Sequence, residues 1–391
     1  MSNYLGELVE IIGGGTPSKS NPEFWSGKIP WASVKDFKTT ELLSTADYIT
    51  EAGVKGSATN VIPAGNIIVP TRMALGKVAV NKVDMAINQD LKALIVRDDE
   101  VLSKLYLLRF LESKAKYIEE QGKGATVKGI TLDVLRGLEI PLPPLPEQKR
   151  IAAILDKADA IRRKRQQAIQ LADEFLRAVF LDMFGDPVTN PKRWDETELL
   201  NVSVGKFQNG AYFPKEKYTE DGVEMVHMAN AFYDVIQRGS LKRVDASKLD
   251  IDKYGLSESD IMISRRSLTY EGAAKPCLIP KSDEPLLFES SMIRFTPNVS
   301  KVNKRYLFQY LSEPLVKDHF IRKYVTGATI KGISQKNLEK VRVLVPPIWI
   351  QNEFSKKVNS IESLIAKLSS QNELSEVAFK ALSQKAFSGE L

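Results

Sequence analysis

Apolar residues recur at alternating spacings of four and three in two long segments of the chain. The first segment begins at Glu147 and ends before a Gly-Asp-Pro sequence at 185–187, which is typical of a helix end. The second has a cleaner pattern, in which Phe354 and Val358 begin the apolar stripe. Because this spacing matches the seam of a coiled coil, the two segments predict two long helices.

Shorter apolar runs with many β-branched residues fill most of the remaining chain. Examples are NIIVPT, GKVAVNKV and KALIVRD before the first long helix, and DIMIS, KPCLIP and SMIRFT before the second. Gly, Pro and Asn separate these runs, which is typical of short strands joined by turns. Each block also contains a helical pattern, at 103–120 and at 303–323, so both blocks are predicted to be α+β domains.

The order of these elements occurs twice along the chain. GATVKGI at 124–130 returns as GATIKGI at 327–333, and each copy precedes a short strand, prolines and a long helix. Two fainter correspondences link IPWASVKDF at 29–37 with VEMVHMANAF at 223–232, and NIIVPTR at 66–72 with DIMISRR at 260–266. Two helices with apolar stripes are predicted to pack on each other, and the connectivity makes them antiparallel.

The predicted fold is therefore α+β, with two strand-rich domains joined by two long antiparallel coiled-coil helices in a pseudo-two-fold internal repeat. The predicted boundaries are 1–146 for the first strand-rich domain, 147–185 for the first spacer helix, 186–346 for the second strand-rich domain and 347–391 for the second spacer helix.

Composition and charge narrow the class of protein. The 391 residues carry a net charge of +6, with a pI near 9.0, which favours a polyanionic partner, nucleic acid before membrane. The sequence has no run of about 18 apolar residues and no signal peptide, so we expect a cytoplasmic protein without membrane contact. A single cysteine, Cys277, and two distant histidines, His227 and His319, predict neither a disulfide framework nor a zinc site.

Two motifs suggest catalysis but lack the residues that it needs. GGGTPSKS at 13–20 resembles a phosphate-binding loop, but Ser18 replaces the required glycine and Pro17 cannot donate an amide hydrogen. The segment is predicted to be either a DNA-contacting loop or a solvated turn. Leu142 and Val345 stand before paired prolines where an amino-methyltransferase needs Asp, Asn or Ser to bind the target amine. The chain is therefore predicted to be non-catalytic.

Three segments resemble one known family. GGGTPSKSNPEFWSGKIPW at 13–31, LPPLPEQKRIAAILDKAD at 142–159 and LSQKAFSGEL at 382–391 are similar to regions of type I restriction-modification specificity subunits, the HsdS family. They correspond to the opening of a target recognition domain, the central conserved region and the C-terminal region. The resemblance covers essentially the whole chain.

The resemblance implies two target recognition domains, each of which reads half of a bipartite target in double-stranded DNA. It also implies that the helices dock two methyltransferase subunits and, through them, restriction subunits. The residues implied in docking are Glu147, Gln148, Arg150 and Gln351. Trp349 and Ile350 replace Pro146 and Glu147 in the second copy. We expect the chain to bind no cofactor and the complex to use S-adenosylmethionine, and ATP with Mg²⁺ for restriction.

Candidate DNA contacts are polar or basic residues beside predicted strand ends and glycine loops. They are Thr16, Ser18, Lys19, Arg72, Lys77, Asn88, Gln89, Lys123, Thr126 and Lys128 in the first block, and His227, Asn230, Arg265, Arg266, Thr329 and Lys331 in the second. Arg can pair with guanine and Asn or Gln with adenine, while Lys and Thr mostly contact phosphate. Each residue could instead be a solvated surface group. The repeated loop is predicted to clamp phosphate or to pack the framework, because both copies would share a sequence-independent task.

Two further alternatives stay open at this point. The basic run at 162–165 is either a solvated helix face or an electrostatic contact with DNA or with an acidic partner. A stand-alone methyltransferase or nuclease, or a purely structural coiled-coil protein, is the alternative to a DNA-specificity subunit. The missing catalytic motifs oppose the first alternative, and the two strand-rich domains oppose the second.

Overall fold

The structure is a computed structural model, and it describes residues 3–124 and 126–391. The chain divides into two compact units. Unit 1 comes from Met1–Gln167 and Ser369–Leu391, and unit 2 comes from Ala168–Leu368. Each unit thus contains one strand-rich block and a part of each long helix.

The strands of unit 1 are β1 (Val9–Gly13), β2 (Trp25–Ala32), β3 (Glu41–Leu42), β4 (Asp47–Ile49), β5 (Val61–Ile62), β6 (Ile67–Pro70), β7 (Ala79–Asn81), β8 (Met85–Ile87) and β9 (Leu91–Val96). Its helices are α1 (Leu5–Leu8), α2 (Glu51–Lys55), α3 (Lys104–Ser113), α4 (Ala115–Glu120), α5 (Leu132–Arg136) and the first part of the long α6 (Leu145–Phe184). Within the described residues, the strands form two sheets, of order β1-β9-β6-β7-β3 and β4-β2-β8-β5. β6 lies inside its sheet and is buried along its whole length, as its apolar sequence requires.

The strands of unit 2 are β10 (Asp195–Glu198), β11 (Ser203–Asn209), β12 (Tyr218–Val226), β13 (Lys242–Val244), β14 (Ile261–Ser264), β15 (Arg266–Ser267), β16 (Pro276–Leu278), β17 (Leu286–Phe288), β18 (Met292–Pro297), β19 (Lys331–Gly332) and β20 (Arg342–Val345). Its helices are α7 (Lys248–Tyr254), α8 (Lys304–Ser312), α9 (Pro314–Val316), α10 (Gln335–Glu339) and part of the long α11 (Ile348–Ser388). The main sheets have the orders β11-β18-β14-β16 and β13-β12-β17, and two strand pairs, β10-β20 and β15-β19, complete the unit.

The two units repeat one sheet topology. The order β1-β9-β6-β7 in unit 1 matches β11-β18-β14-β16 in unit 2, and β4-β2-β8 matches β13-β12-β17. In the smaller sheets, β2 pairs in parallel with β8, and β12 pairs in parallel with β17. The internal repeat is therefore confirmed, and the two faint sequence correspondences fall on β2 with β12 and on β6 with β14.

Aromatic side chains join the strand-rich block of each unit to both long helices. In unit 1, the ring centroid of Phe387 on α11 lies 5.3 Å from that of Tyr106 on α3, and Leu155 of α6 enters the same core. In unit 2, the ring centroid of Phe180 on α6 lies 5.7 Å from that of Phe354 on α11 and 6.1 Å from that of Tyr306 on α8. Burial of these apolar faces stabilises helices that could not hide them alone.

Within unit 1 the two long helices run antiparallel. Arg150 contacts Leu391, and twelve residues later Arg162 contacts Glu376, so positions on α11 fall as those on α6 rise. α6 ends at Phe184, and the next residue, Gly185, has a φ of +78°, the left-handed conformation typical of a helix stop. The helix predicted at 303–323 is instead interrupted at Pro314, because proline has no N–H to continue the ladder. In the part of the chain that is described, no helix has the length and apolar character needed to cross a membrane.

Candidate nucleic-acid interface

The repeated loop has the same backbone pairing in both units. In unit 1, Lys123 and Gly129 exchange two hydrogen bonds, each of 2.9 Å, between their N–H and C=O groups. In unit 2, Thr326 and Gly332 exchange bonds of 2.9 and 2.8 Å. Each copy is therefore a closed loop whose two ends pair with each other.

The outer edge of each loop lies against an arginine. Gly129 pairs with Arg72, and Gly332 pairs with Arg266 of β15. A Cβ atom at Gly129 would lie 3.2 Å from Arg72 Cγ, and one at Gly332 would lie 3.1 Å from the Arg265 carbonyl oxygen. The glycines let the loop approach the arginine strand closely, which supports the framework interpretation of the repeat.

The first glycine of each copy is required by the backbone itself. Gly124 and Gly327 have φ of +132° and +108°. A Cβ atom there would lie 2.2 Å from the Val127 oxygen or 1.9 Å from the Ile330 oxygen, so a side chain is excluded. The Lys331 ammonium donates to the Gly327 carbonyl at 2.8 Å and so contacts its own loop. Phosphate clamping by the loop stays a prediction.

Both units expose arginines at the strand end that this loop supports. The Arg72 side chain is 58% exposed, and its Nη1 lies 3.8 Å from Asp90 Oδ1. In unit 2, Arg265 Nη1 donates to the Ser290 carbonyl at 3.3 Å, and Arg266 is exposed. One contact holds each of Arg72 and Arg265, and the side chains of Arg72 and Arg266 are exposed, which suits donors to DNA.

The turn at 88–90 places Gln89 at an exposed tip. Asn88 is buried, and its Oδ1 accepts from the Asp90 N–H at 3.1 Å, so it shapes the turn. Lys92 Nζ donates to the Gln89 carbonyl at 2.8 Å. Burial lowers the pKa of Lys92, and the charge of Asp90 opposes that change. The Thr16 hydroxyl donates to Gln89 Oε1 and joins the two loops.

The glycine-rich segment at 13–20 is anchored rather than loose. Trp31 Nε1 donates to the Gly15 carbonyl at 3.0 Å, and Trp25 Nε1 donates to the Ser18 carbonyl at 3.1 Å. Ser18 and Lys19 are exposed beyond these anchors. The segment is therefore anchored to the domain, and its contact with DNA stays a prediction.

These contacts bring most of the candidates of unit 1 to one surface. Thr16 contacts Gln89, the adjacent Asp90 contacts Arg72, and Gly129 links Arg72 to Lys123. The loop that Lys123 and Gly129 close also contains the exposed Thr126 and Lys128, whereas Ala125 lies outside the described residues. Lys77 points elsewhere, because its ammonium donates to the Phe37 carbonyl at 3.0 Å.

In unit 2, His227 and Asn230 hold a turn. The His227 N–H donates to Asn230 Oδ1 at 2.9 Å, and the His227 ring contacts the Tyr218 hydroxyl at 2.9 Å. In unit 1 the corresponding turn is held by the Ser33 N–H, which donates to Asp36 at 2.8 Å. The shared geometry gives His227 and Asn230 a structural task, and their contact with DNA stays a prediction. Thr329 is exposed in the repeated loop.

Tyr212 was missed by the sequence interpretation. Its ring is 81% exposed, and Ala211 before it pairs with the Glu289 region beside Ser290. A Cβ atom added at Gly210 would lie 2.2 Å from the Phe288 oxygen, and one added at Gly14 would lie 2.1 Å from the Ile87 oxygen. The two glycines are therefore equivalent, and Tyr212, two residues after Gly210, corresponds to Thr16 in unit 1. Strand alignment would have found this position, whereas sequence identity could not.

The docking role predicted for Gln148 and Gln351 is corrected by their burial. Gln148 Oε1 accepts from the Ser103 N–H at 2.9 Å, and its Nε2 donates to the Val101 carbonyl at 2.9 Å. Gln351 Oε1 accepts from the Asn303 N–H at 2.7 Å, and its Nε2 donates to the Lys301 carbonyl at 3.3 Å. Both side chains anchor the start of a long helix to its recognition block, and their polar atoms are engaged within the chain.

Glu147 and Arg150 are more accessible. Their side chains form an ion pair of 2.7 Å, and Arg150 also donates to the Leu391 carbonyl at 2.9 Å. The hydrogen bond from Arg150 lowers the pKa of Glu147. Docking by these two residues stays a prediction.

The basic run at 162–165 is largely engaged within unit 1. Arg162 contacts Asp159 at 2.8 Å and Glu376 at 3.2 Å. Arg163 contacts Asp159 at 3.1 Å, and Arg165 donates to Ser375 and to the Gln371 carbonyl. Arg162 and Arg165 hold the two helices together. Arg163 pairs within α6 and Lys164 is exposed, so only these two fit the solvated-face interpretation.

Comparison with known proteins fits this arrangement. A family model described as the type I restriction modification DNA specificity domain matches residues 2–171 and 191–377. The MjaIX specificity subunit of Methanocaldococcus jannaschii is 25% identical over 410 aligned positions, covering 99% of this chain and 92% of that protein. The EcoR124I/EcoR124II specificity subunit of Escherichia coli is 42% identical over 164 residues, 40% of each protein.

Two solved structures share the fold. The S subunit of a type I restriction-modification system from M. genitalium has a TM-score of 0.52 at 16% identity, covering 98% of this chain and 95% of that one. A chain from a study of complex assembly and conformational transition in the type I R-M system has a TM-score of 0.60 at 16% identity, covering 99% and 97%. Because the family model matches most of the sequence, the chain belongs to the type I restriction-modification DNA specificity family, the HsdS subunits.

Proposed function

We propose that each unit reads one half of a bipartite target in double-stranded DNA. The observation that carries this proposal is one frame with different side chains at equivalent positions. Arg72 and Arg266 occupy the same place beside the repeated loop, but Thr16 in unit 1 corresponds to Tyr212 in unit 2. A shared frame suits backbone contacts, and the differing groups suit two different base sequences.

The chain supplies specificity, and its partners supply the chemistry. Leu142 precedes the first pair of prolines and packs on the core of unit 1, and Val345 ends β20. Neither side chain can accept a hydrogen bond from a target amine. Methyl transfer with S-adenosylmethionine, and cleavage with ATP and Mg²⁺, therefore belong to methyltransferase and restriction subunits of the complex.

We further propose that each unit docks one methyltransferase subunit on its part of the long helices, with restriction subunits bound through these. Unit 1 exposes Ile161 and Leu374, and unit 2 exposes Leu364 and Leu171. Ile161 and Leu364 are separated by the same offset as the two copies of the repeated loop, and so are Leu171 and Leu374. Exposed large apolar residues at the same places in both halves of a repeat favour two equivalent partners.

The test is binding-site selection from randomised duplexes by the purified chain in complex with its methyltransferase subunit. We expect two short specific sequences separated by a gap of fixed length without base preference. A single uninterrupted sequence, or no preference at all, would contradict the bipartite proposal. The chain alone should neither methylate nor cleave DNA with S-adenosylmethionine, ATP and Mg²⁺ present, and turnover by a homogeneous preparation would contradict the non-catalytic assignment.

A further inference from the structure

We infer that Gln89 is a base-reading residue of unit 1, that it selects adenine, and that Thr16 is the positioning residue that makes this selection strict. The inference rests on the proposed function and adds to it a residue and a base. It starts from the contact between the Thr16 hydroxyl and Gln89 Oε1, which joins two segments far apart in the sequence.

The main chain at Gln89 is held from several sides. Asn88 Oδ1 accepts from the Asp90 N–H at 3.1 Å, and the Thr71 hydroxyl donates to the Asp90 carbonyl at 3.1 Å. The Lys92 ammonium donates to the Gln89 carbonyl at 2.8 Å. Asn88 and Thr71 are buried, whereas Gln89 itself is exposed. The turn is thus ordered before DNA arrives, and its exposed tip carries an amide.

Thr16 then fixes the side chain of Gln89. A glutamine amide can usually rotate by half a turn and exchange its donor and acceptor ends. In this structure the Thr16 hydroxyl donates to Oε1, so Oε1 is the acceptor end held beside Thr16 and Nε2 is the end left to donate. Thr16 is itself placed by Gly15, whose carbonyl accepts from Trp31 Nε1 at 3.0 Å and whose N–H donates to the Ile87 carbonyl at 3.0 Å.

This order of groups matches adenine and opposes guanine. Adenine presents the N6 amino donor and the N7 acceptor in the major groove, which pair with Oε1 and Nε2 of one glutamine. The Thr16 hydroxyl occupies one lone pair of Oε1, and the second lone pair can accept from adenine N6. Guanine presents two acceptors, O6 and N7, so its O6 would face Oε1 without a proton between them.

Unit 2 lacks this pair and therefore serves as an internal control. The Ala211 N–H donates to the Phe288 carbonyl at 2.9 Å, as the Gly15 N–H donates to that of Ile87. Because these two bonds are equivalent, the residues that follow them also correspond. Tyr212 therefore stands in the place of Thr16, and Ser290 stands in the place of Gln89. Changes at Thr16 and Gln89 should therefore leave the half-target of unit 2 unchanged.

The experiment is binding-site selection with the chain and its methyltransferase subunit, using wild type, Gln89→Ala, Thr16→Val and Thr16→Ser. We expect wild type to require adenine at one position of one half-target. Gln89→Ala should reduce that preference by about 5- to 150-fold, which is the range for one bidentate pair. Thr16→Val, which keeps the shape but not the hydroxyl, should weaken the same preference, and Thr16→Ser should retain it.

The half-target of unit 2 reports whether the complex is assembled and binds DNA, and the other positions of the unit 1 half-target report whether unit 1 is folded in each variant. If Gln89→Ala loses the preference for a base other than adenine, or binds all sequences more weakly to the same extent, the inference is overturned and the proposed function stays intact. Equal behaviour of Thr16→Val and wild type would overturn the role of Thr16. If wild type shows no bipartite preference, the proposed function fails and the inference fails with it.

Discussion

Asp159 on α6 and Arg109 on α3 form a buried ion pair, with 3.2 Å between Oδ2 and Nη1. Asp159 is 2% exposed and also contacts Arg162 and Arg163 at 2.8 and 3.1 Å. Arg109 is equally enclosed and contacts Asp156 at 2.6 Å. This charged cluster attaches the main helix of the first recognition block to the long helix, and it explains why the basic run is not free.

Asp159→Ala should destabilise unit 1. Its removal takes away one of three carboxylates that contact the buried Arg109, whose ion pairs with Asp156 and Glu112 remain, so the expected cost is about 1 to 3 kcal/mol. The free energy of unfolding, measured by urea titration with hydrogen exchange in α3, checks this. Glu120→Gln is the control, because the Lys116–Glu120 pair is exposed and should contribute at most about 1 kcal/mol. Equal effects of both substitutions would contradict the prediction.

Asp159 should also make unit 1 sensitive to acid. Burial alone would raise the pKa of its carboxyl group, but the hydrogen bond from Arg162 and the charges of Arg109 and Arg163 together hold the pKa below its ordinary value. A carboxyl group with a lower pKa in the folded state stabilises the fold above its unfolded pKa of about 3.9, and this contribution is lost as pH falls through the folded pKa. The stability difference between wild type and Asp159→Asn should be constant above about pH 5 and shrink below about pH 4. A difference that grows on acidification would show the opposite sign.

Gln148→Ala and Gln351→Ala should each destabilise one unit. Either change leaves a partly buried backbone N–H, of Ser103 or of Asn303, without its partner, which costs about 1 kcal/mol or more. Hydrogen exchange can assign each loss to its own unit. Gln167→Ala on the exposed surface of α6 is the control and should change stability by less than about 0.5 kcal/mol. Unchanged stability together with lost binding of the methyltransferase subunit would restore the docking role.

Arg72→Ala and Arg266→Ala should each relax one half of the DNA target. If the arginine pairs with a base, its removal weakens specific binding by about 1 to 3 kcal/mol and removes the preference at one position. Binding-site selection by each variant separates the outcomes. Equal weakening on all sequences would make the arginine a phosphate contact, and unchanged binding would make it a solvated surface group.

The features that the sequence predicts are those that depend on apolar periodicity or on an internal repeat. The 4-3 spacing after Glu147 predicts α6, and the repeated GATVKGI loop predicts two equivalent frames, because both signals depend only on local spacing. The pairing of Asp159 with Arg109 depends on how α3 packs on α6, which no local pattern contains. Gln148 was misassigned for the same reason: a polar residue is expected at the surface until its buried partners are known.

The apolar residues exposed on the long helices should control how many methyltransferase subunits bind. Ile161 is 44% exposed in unit 1, and its equivalent, Leu364, is 51% exposed in unit 2. If two methyltransferase subunits dock as proposed, Ile161→Lys and Leu364→Lys should each leave one bound, and the double variant should bind none, because a lysine ammonium cannot be buried there without a partner. Gln167→Lys and Ser370→Lys, at equivalent exposed polar positions, add the same charge and should keep both subunits. The mass of the intact complex, measured by native mass spectrometry, decides between these results. Two subunits retained by the double variant would place docking elsewhere on the chain.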